Sequence, residues 1–281
     1  MHWTRWVLPE DATSFGFLRT RLAESKRSSG REGFTVRLQF EQDLGNLKDR
    51  LLVMAGMAEQ SIQRAVEAYQ TRDLSICDVV DYGERAIDRM EREIDEMAID
   101  LLATQQPLAC DLRFTLAVIK INGNLERVGN GARSISNHVR SLQTVPQVDL
   151  PVDILQLASL AQGTMREALR AFIDTDGNRA QSVLSGDDRM DRLHKNTYRF
   201  LSSLIERQPE LIPQALNTMM IARTLWRVAG RGKSIAEDVI FWVRGAKVRN
   251  HMQHAGHSAD CAKAELPIHN SDFRRFQASN Q

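Results

Sequence analysis

Much is scarce in this chain, and each scarcity excludes something. Its 281 residues hold three cysteines, Cys77, Cys110 and Cys261, an odd number and widely spaced. That spacing gives neither a disulfide framework nor a CxxC metal pair, which favours a reducing compartment. Proline, glycine and aromatics are few, while Leu, Ala, Met, Glu and Arg are plentiful, so helices are favoured over strands. No apolar run reaches the roughly 18 residues of a membrane-spanning helix. The formal net charge is only +1, so no field draws the chain to nucleic acid or acidic lipid. The N-terminal segment, despite Trp3, Trp6 and several arginines, lacks the continuous apolar core of a secretory signal, and a cytoplasmic location is expected. Catalytic signatures are missing too. There is no GxSxG elbow, Walker loop, HExxH or Rossmann glycine pattern.

What is present is a succession of long helical patterns. In the first, Leu44, Leu47, Leu51, Met54, Ala58, Ile62, Ala65 and Tyr69 recur in steps of three and four. Asp73 is placed to cap the second helix, whose seam reads Ile76, Val80, Gly83, Ile87, Met90, Ile94, Met97 and Leu101. Pro107 interrupts, and a third helix follows over about 108–142, marked by Leu116, Ile119, Leu125, Val128, Ala132, Ile135 and Val139. After Pro146 and Pro151 the arrangement restarts. A fourth helix is expected over about 152–173. A fifth carries Val183, Gly186, Met190, Leu193, Thr197, Phe200 and Leu204, and a sixth spans about 214–243.

Three helices, a linker and three helices imply duplication. Leu125–Glu126–Arg127–Val128–Gly129 recurs one hundred positions later as Leu225–Trp226–Arg227–Val228–Ala229, and Ser134, Ile135 and Val139 match Ser234, Ile235 and Val239. The fold class is therefore all-α with an internal repeat. The expected divisions are a flexible basic extension at 1–35, a first repeat at 36–145, a linker at 146–151, a second repeat at 152–248 and a polar tail at 249–281.

Paired acids are the chemically informative feature. Glu84 and Asp88 stand one helical turn apart, and Asp187 and Asp191 repeat that spacing in the second half. Glu126 precedes Asn130 by four on the neighbouring helix of the first half. Carboxylates so spaced can grip a cation between helices, and oxygen ligands suit Mg, Mn, Fe or Zn ions. Interleaved Arg85, Arg89 and Arg92 fit equally well with a solvated charge lattice, and spacing alone leaves both readings open. No Glu-x-x-His pair lies within the helices, which argues against a ferritin-like di-metal enzyme. The run His251, His254, His257 and Cys261 lies in the polar tail with no evident scaffold. Trp226 and Trp242 on the last helix read as core or subunit-contact residues.

These segments resemble the PhoU family of phosphate-uptake proteins. Gln105–Gln106–Pro107–Leu108–Ala109–Cys110–Asp111–Leu112–Arg113 is similar to its QQP-x-A-x-DLR segment, and Leu125–Glu126–Arg127–Val128–Gly129 to its LERIGD segment. In the second half, Ile221 to Arg227 and Ser234 to Val239 resemble the corresponding stretch. The resemblance covers about 36–248. It implies two tandem three-helix bundles side by side, metal clusters held by E/D-xxx-D motifs, and no enzymatic activity. It also implies negative regulation of the phosphate regulon by contact with a phosphate ABC transporter ATPase, a sensor histidine kinase, or both, by a homodimer or higher oligomer that meets membranes only through those partners. The rival reading is a diverged scaffold or metal-binding paralogue without phosphate-regulon control. Pro107, Asp111, Arg113, Arg127 and Arg227 stand at family-motif structural positions. Glu84, Asp88, Asp187 and Asp191 match the acidic motifs, and Glu126 keeps its place with Asn130 for the expected aspartate. Trp226 and Gly230 replace the second-half acids, and Arg231 stands where histidine is usual. A cation beside Arg231 meets about 1 to a few kcal/mol of repulsion. The first half is thus expected to keep a metal site and the second to have lost or weakened its own.

Overall fold

The computed structural model describes residues 14–245 except 106, 147 and 187, with side chains described from residue 38 onward. The chain divides into two units, Met1–Asp43 and Leu44–Gln281. The helices are α1 (Ser14–Thr71), α2 (Leu74–Gln105), α3 (Ala109–Ser141), α4 (Ile154–Ile173), α5 (Gly177–Leu184), α6 (Arg189–Arg207) and α7 (Ile212–Arg244), with a 3-10 turn at Pro209–Leu211. No strand occurs among the described residues. Since α1 starts at Ser14, the stretch 25–31, read from its composition as flexible, is helical. It contains no proline, and its Lys, Arg and Glu neighbours tolerate a solvated helix.

Local chemistry sets the helix ends. Arg72 takes a left-handed φ of 58° to close α1, and its N–H bonds the Ala68 carbonyl at 2.9 Å. Asp73 caps α2 as expected, accepting from the Ser75 N–H at 2.8 Å. Leu108 is extended after Pro107, which separates α2 from α3. Asp153 caps α4 through the Gln156 N–H, and Asp176 caps α5 through those of Asn178 and Arg179. Pro213 sits in the first turn of α7, where its missing N–H costs nothing, and Gly245 ends the helix at φ 67°.

The expected α1 seam from Leu44 to Ala65 is buried throughout. Each of its Leu and Ile side chains contributes roughly 1.5–3 kcal/mol by leaving water. In α2, Val80, Ile87, Ile94 and Leu101 are buried as expected, while Cys77, Glu84 and Ala98 take the places expected of Ile76, Gly83 and Met97. Its buried positions are Cys77, Val80, Glu84, Ile87, Ile94, Ala98 and Leu101. That is a strict alternation of three and four, completed by Glu91, and it places two carboxylates on the packed face. Leu116, expected in the α3 core, is 37% exposed instead.

Helix α3 packs against both α2 and α7, and α4 packs against α7. The rings of Phe114, Phe172 and Trp242 cluster where α3, α4 and α7 meet, with centroids 5.0 to 6.1 Å apart. Trp242 is therefore core, as expected. Beside this cluster the Lys48 ammonium donates to the Ile173 carbonyl at 3.1 Å, and burial lowers its pKa against opposing attraction from Asp49 and Asp174. Gly232 of α7 packs tightly on α4, since a Cβ there would stand 3.0 Å from the Met165 backbone nitrogen.

One helix differs from expectation. The fifth pattern is broken into α5 and α6 around Ser185–Asp188, so Val183 and Met190 stand on different helices. Gly186 weakens the helix there, and Asp188 takes the N-cap position of α6.

Candidate functional site

In the first half the paired acids lie between α2 and α3. Glu84 occupies the buried stripe and is 2% exposed. Its Oε1 accepts from the Arg133 guanidinium at 2.9 Å, while its Oε2 has no partner. The bond and charge of Glu84 raise the Arg133 pKa. Asp88 follows one turn later, partly exposed. Glu91 was not singled out by the sequence reading, yet it stands among these acids. Burial raises its pKa, and Asp95, Glu126 and Asp88 add to the rise against Arg92. Asn122 ties this region together, donating to the Glu91 carbonyl at 2.8 Å and to the Asp95 carboxylate at 2.9 Å. Asn130 donates to Glu126 Oε1 at 2.5 Å. The three-and-four alternation running 77, 80, 84, 87, 91 was the signal that could have found Glu91. It was hidden because the apolar neighbours Gly83 and Met90 fit a parallel seam.

The second half is chemically different. Asp187 lies outside the described residues, and Asp191 stands in the first turn of α6. Asp191 accepts a hydrogen bond of 2.6 Å from the indole Nε1 of Trp226. The indole also stacks on His194, with centroids 5.2 Å apart and planes at 17°. Burial lowers the His194 pKa, Asp191 opposes, and Arg223 adds to the lowering. Trp226 is thus a half-exposed hydrogen-bond donor and not part of the core. Gly230 leaves open space, with nothing within 4 Å of where a Cβ would stand. Trp226, Gly230 and Arg231 border an open cavity of about 820 Å³.

The family-motif residues have structural surroundings. Pro107 precedes the extended Leu108, and Asp111 lies in the first turn of α3, where negative charge suits the helix end. Arg113 donates to the Trp242 carbonyl at 3.3 Å and lies beside Gly245, so it steadies the end of α7. Arg127 and Arg227 lie on α3 and α7 at the border between the halves, with Arg231 near both.

Among the described residues, no group of three His, Cys, Asp or Glu stands close enough to hold a metal ion. In each place the carboxylate is met by a protein N–H: Arg133 at Glu84, Asn130 at Glu126, Trp226 at Asp191. As arranged, these residues do not fit a bound ion. In the first half, Glu84, Asp88 and Glu126 could take one only after Arg133 and Asn130 let go. The tail residues His251, His254, His257 and Cys261 lie outside the described residues.

The model of the PhoU domain matches this chain twice, over residues 51–139 and 154–239. The chain belongs to the PhoU family. A phosphate-specific transport system accessory protein PhoU homolog of Pseudomonas aeruginosa is 34% identical over 215 residues, 75% of this chain and 88% of that protein. A homolog of Pseudomonas putida is 32% identical over 245 residues, covering 83% and 94%. The crystal structure of PhoU from Pseudomonas aeruginosa superposes with a TM-score of 0.70 at 32% identity, over 74% of this chain and all of that one. A phosphate transport system regulatory protein PhoU from Streptococcus pneumoniae, 22% identical with a TM-score of 0.69 over 74% of this chain and 99% of that one, shares the fold. Two PhoU domains in tandem account for the repeat seen at one hundred residues' spacing. Within this PhoU fold the α5–α6 break and the Trp226–Asp191 bond set the second repeat apart from the first.

Proposed function

We propose that this protein is a non-enzymatic, cytoplasmic negative regulator of phosphate uptake and phosphate-starvation signalling. It acts by docking on a phosphate ABC transporter ATPase, on the sensor histidine kinase, or on both, as a homodimer or larger oligomer. The observation that carries the reading is the matching of both repeats to the PhoU domain, in a chain that spans 88% and 94% of two relatives named as phosphate-transport accessory proteins. Among the described residues, no helix is long and apolar enough to cross a membrane, which fits contact with a membrane only through partners. The acids of the two halves support the non-enzymatic reading. Glu84, Glu126 and Asp191 each accept an N–H from the protein itself, which fits acids that brace the helices.

Deletion of the gene, with a phosphate-regulated reporter read in phosphate-replete medium, tests the proposal. Raised reporter expression, restored to basal by the full chain in trans, is expected. Unchanged expression would favour the diverged scaffold.

A further inference from the structure

We propose that Arg127, Arg227 and Arg231 form a binding site for a tetrahedral oxyanion, supplied by inorganic phosphate or by the phosphoryl groups of a nucleotide. The inference rests on the arginine geometry and stands apart from the proposed regulatory role.

The three arginines gather where the two repeats meet. Arg127 on α3 and Arg227 on α7 are counterparts one hundred positions apart, and Arg231 follows Arg227 by one helical turn. All three line one pocket of about 300 Å³, which also receives Asn130, Ser134 and Thr224. Several arginines elsewhere are matched to acids, Arg133 to Glu84, Arg140 to Asp78 and Asp81, Arg166 to Glu59 and Arg179 to Asp174, while Arg85, Arg89 and Arg199 stand singly on exposed faces. Among the described residues Arg127, Arg227 and Arg231 have no ion pair and no hydrogen bond. The acid that reaches Arg231 electrostatically is Glu126, and Asn130 already holds it.

Arg127 and Arg227 are exposed and Arg231 is partly buried between them, so an anion in this pocket would meet all three guanidinium groups. Arg231 registers that crowding, since its charged form is disfavoured first by burial and then by Arg127 and Arg227, with Glu126 opposing. Guanidinium forks match the oxygens of phosphate in geometry and in charge, and the Ser134 hydroxyl and Asn130 amide are neutral donors suited to the same ligand. Arg227 and Arg231 also border the 820 Å³ cavity that Trp226 lines, so a ligand larger than the free ion has room to extend into it.

The full-length protein is titrated by calorimetry and followed by thermal unfolding at fixed ionic strength, with inorganic phosphate, with ATP, and with chloride as the control. Saturable binding and a rise in Tm are expected with phosphate, ATP or both, because a ligand that binds only the folded state stabilises it. Affinity falls about tenfold or more in Arg231→Gln and in Arg127→Gln, and less in Arg231→Lys, which keeps charge without the fork. Arg199→Gln, on exposed α6, leaves it unchanged. Binding of phosphate alone assigns the free ion, and binding of ATP alone assigns a nucleotide. A response no larger than that to chloride would overturn the proposal. So would binding that Arg231→Gln and Arg127→Gln leave intact while their circular dichroism remains that of the wild type.

Discussion

The indole Nε1 of Trp226 donates a 2.6 Å hydrogen bond to the carboxylate of Asp191, and the same ring lies stacked on His194. An aromatic N–H thus stands against the one second-repeat motif acid that the structure describes. Trp226→Phe keeps the stacking and removes the bond. Its expected cost is about 1 kcal/mol, small because water reaches the site, read by urea unfolding at neutral pH. A loss of several kcal/mol would mean that the indole is core after all.

His194 makes the same site sensitive to pH. Its folded pKa is lowered, so the unfolded chain binds the proton more readily. The stability contribution is complete above the ordinary histidine value and fades as pH falls through the lower, folded value. Quenching of Trp226 fluorescence should follow that titration, with a midpoint below the ordinary 6.5. His194→Gln should remove the transition. A midpoint above 6.5 would show that Asp191 outweighs burial.

Arg133 holds a carboxylate that cannot easily stay charged alone. Arg133→Ala leaves Glu84 buried without its partner, and a loss of roughly 1–3 kcal/mol is expected, limited because the guanidinium is half exposed. Adding Glu84→Gln should recover much of it, since the charge is then gone. Additive losses in the double variant would contradict the pairing.

Two glycines of α7 should respond in opposite ways. Gly232→Ala drives a methyl into the Met165 backbone of α4, and a cost of about 1–3 kcal/mol is expected. Gly230→Ala meets open space in a helix, and should be neutral or stabilising by up to about 1 kcal/mol. Thermal unfolding of the two variants side by side tests both.

Metal content tests whether Arg133 and Asn130 release the first-half acids to an ion. Elemental analysis after anaerobic purification and metal titration should find no second cluster. Asp88→Ala should change whatever metal is carried, and Asp191→Ala should not. Two equal clusters per chain would contradict the inequality of the repeats.

Much of this was legible in the sequence, and the misses have physical causes. The helices announced themselves because their ends carry specific chemistry: Asp73 as a cap, Pro107 as a break, Pro213 in a first turn. The repeat was visible because Arg127 and Arg227 keep their places beside matching apolar positions. Alternate positions of the α2 stripe were misplaced by one residue because apolar Gly83 was preferred to Glu84, and a buried acid cannot be told from an exposed one without its partner. Arg133, forty-nine positions away from Glu84, is that partner. The α5–α6 break was missed because Gly186 was counted into the seam. Nothing local tells that an indole replacing an acid will turn its N–H toward Asp191. That contact joins two helices and exists only in the fold.

The central claim is that this PhoU-family chain works by docking on the machinery of phosphate uptake. The most direct measurement is binding of the purified full-length protein to the phosphate transporter ATPase and to the cytoplasmic part of the sensor histidine kinase from the same organism. Saturable binding to at least one of them is predicted. Absence of binding to both, with protein of intact helical content, would contradict it.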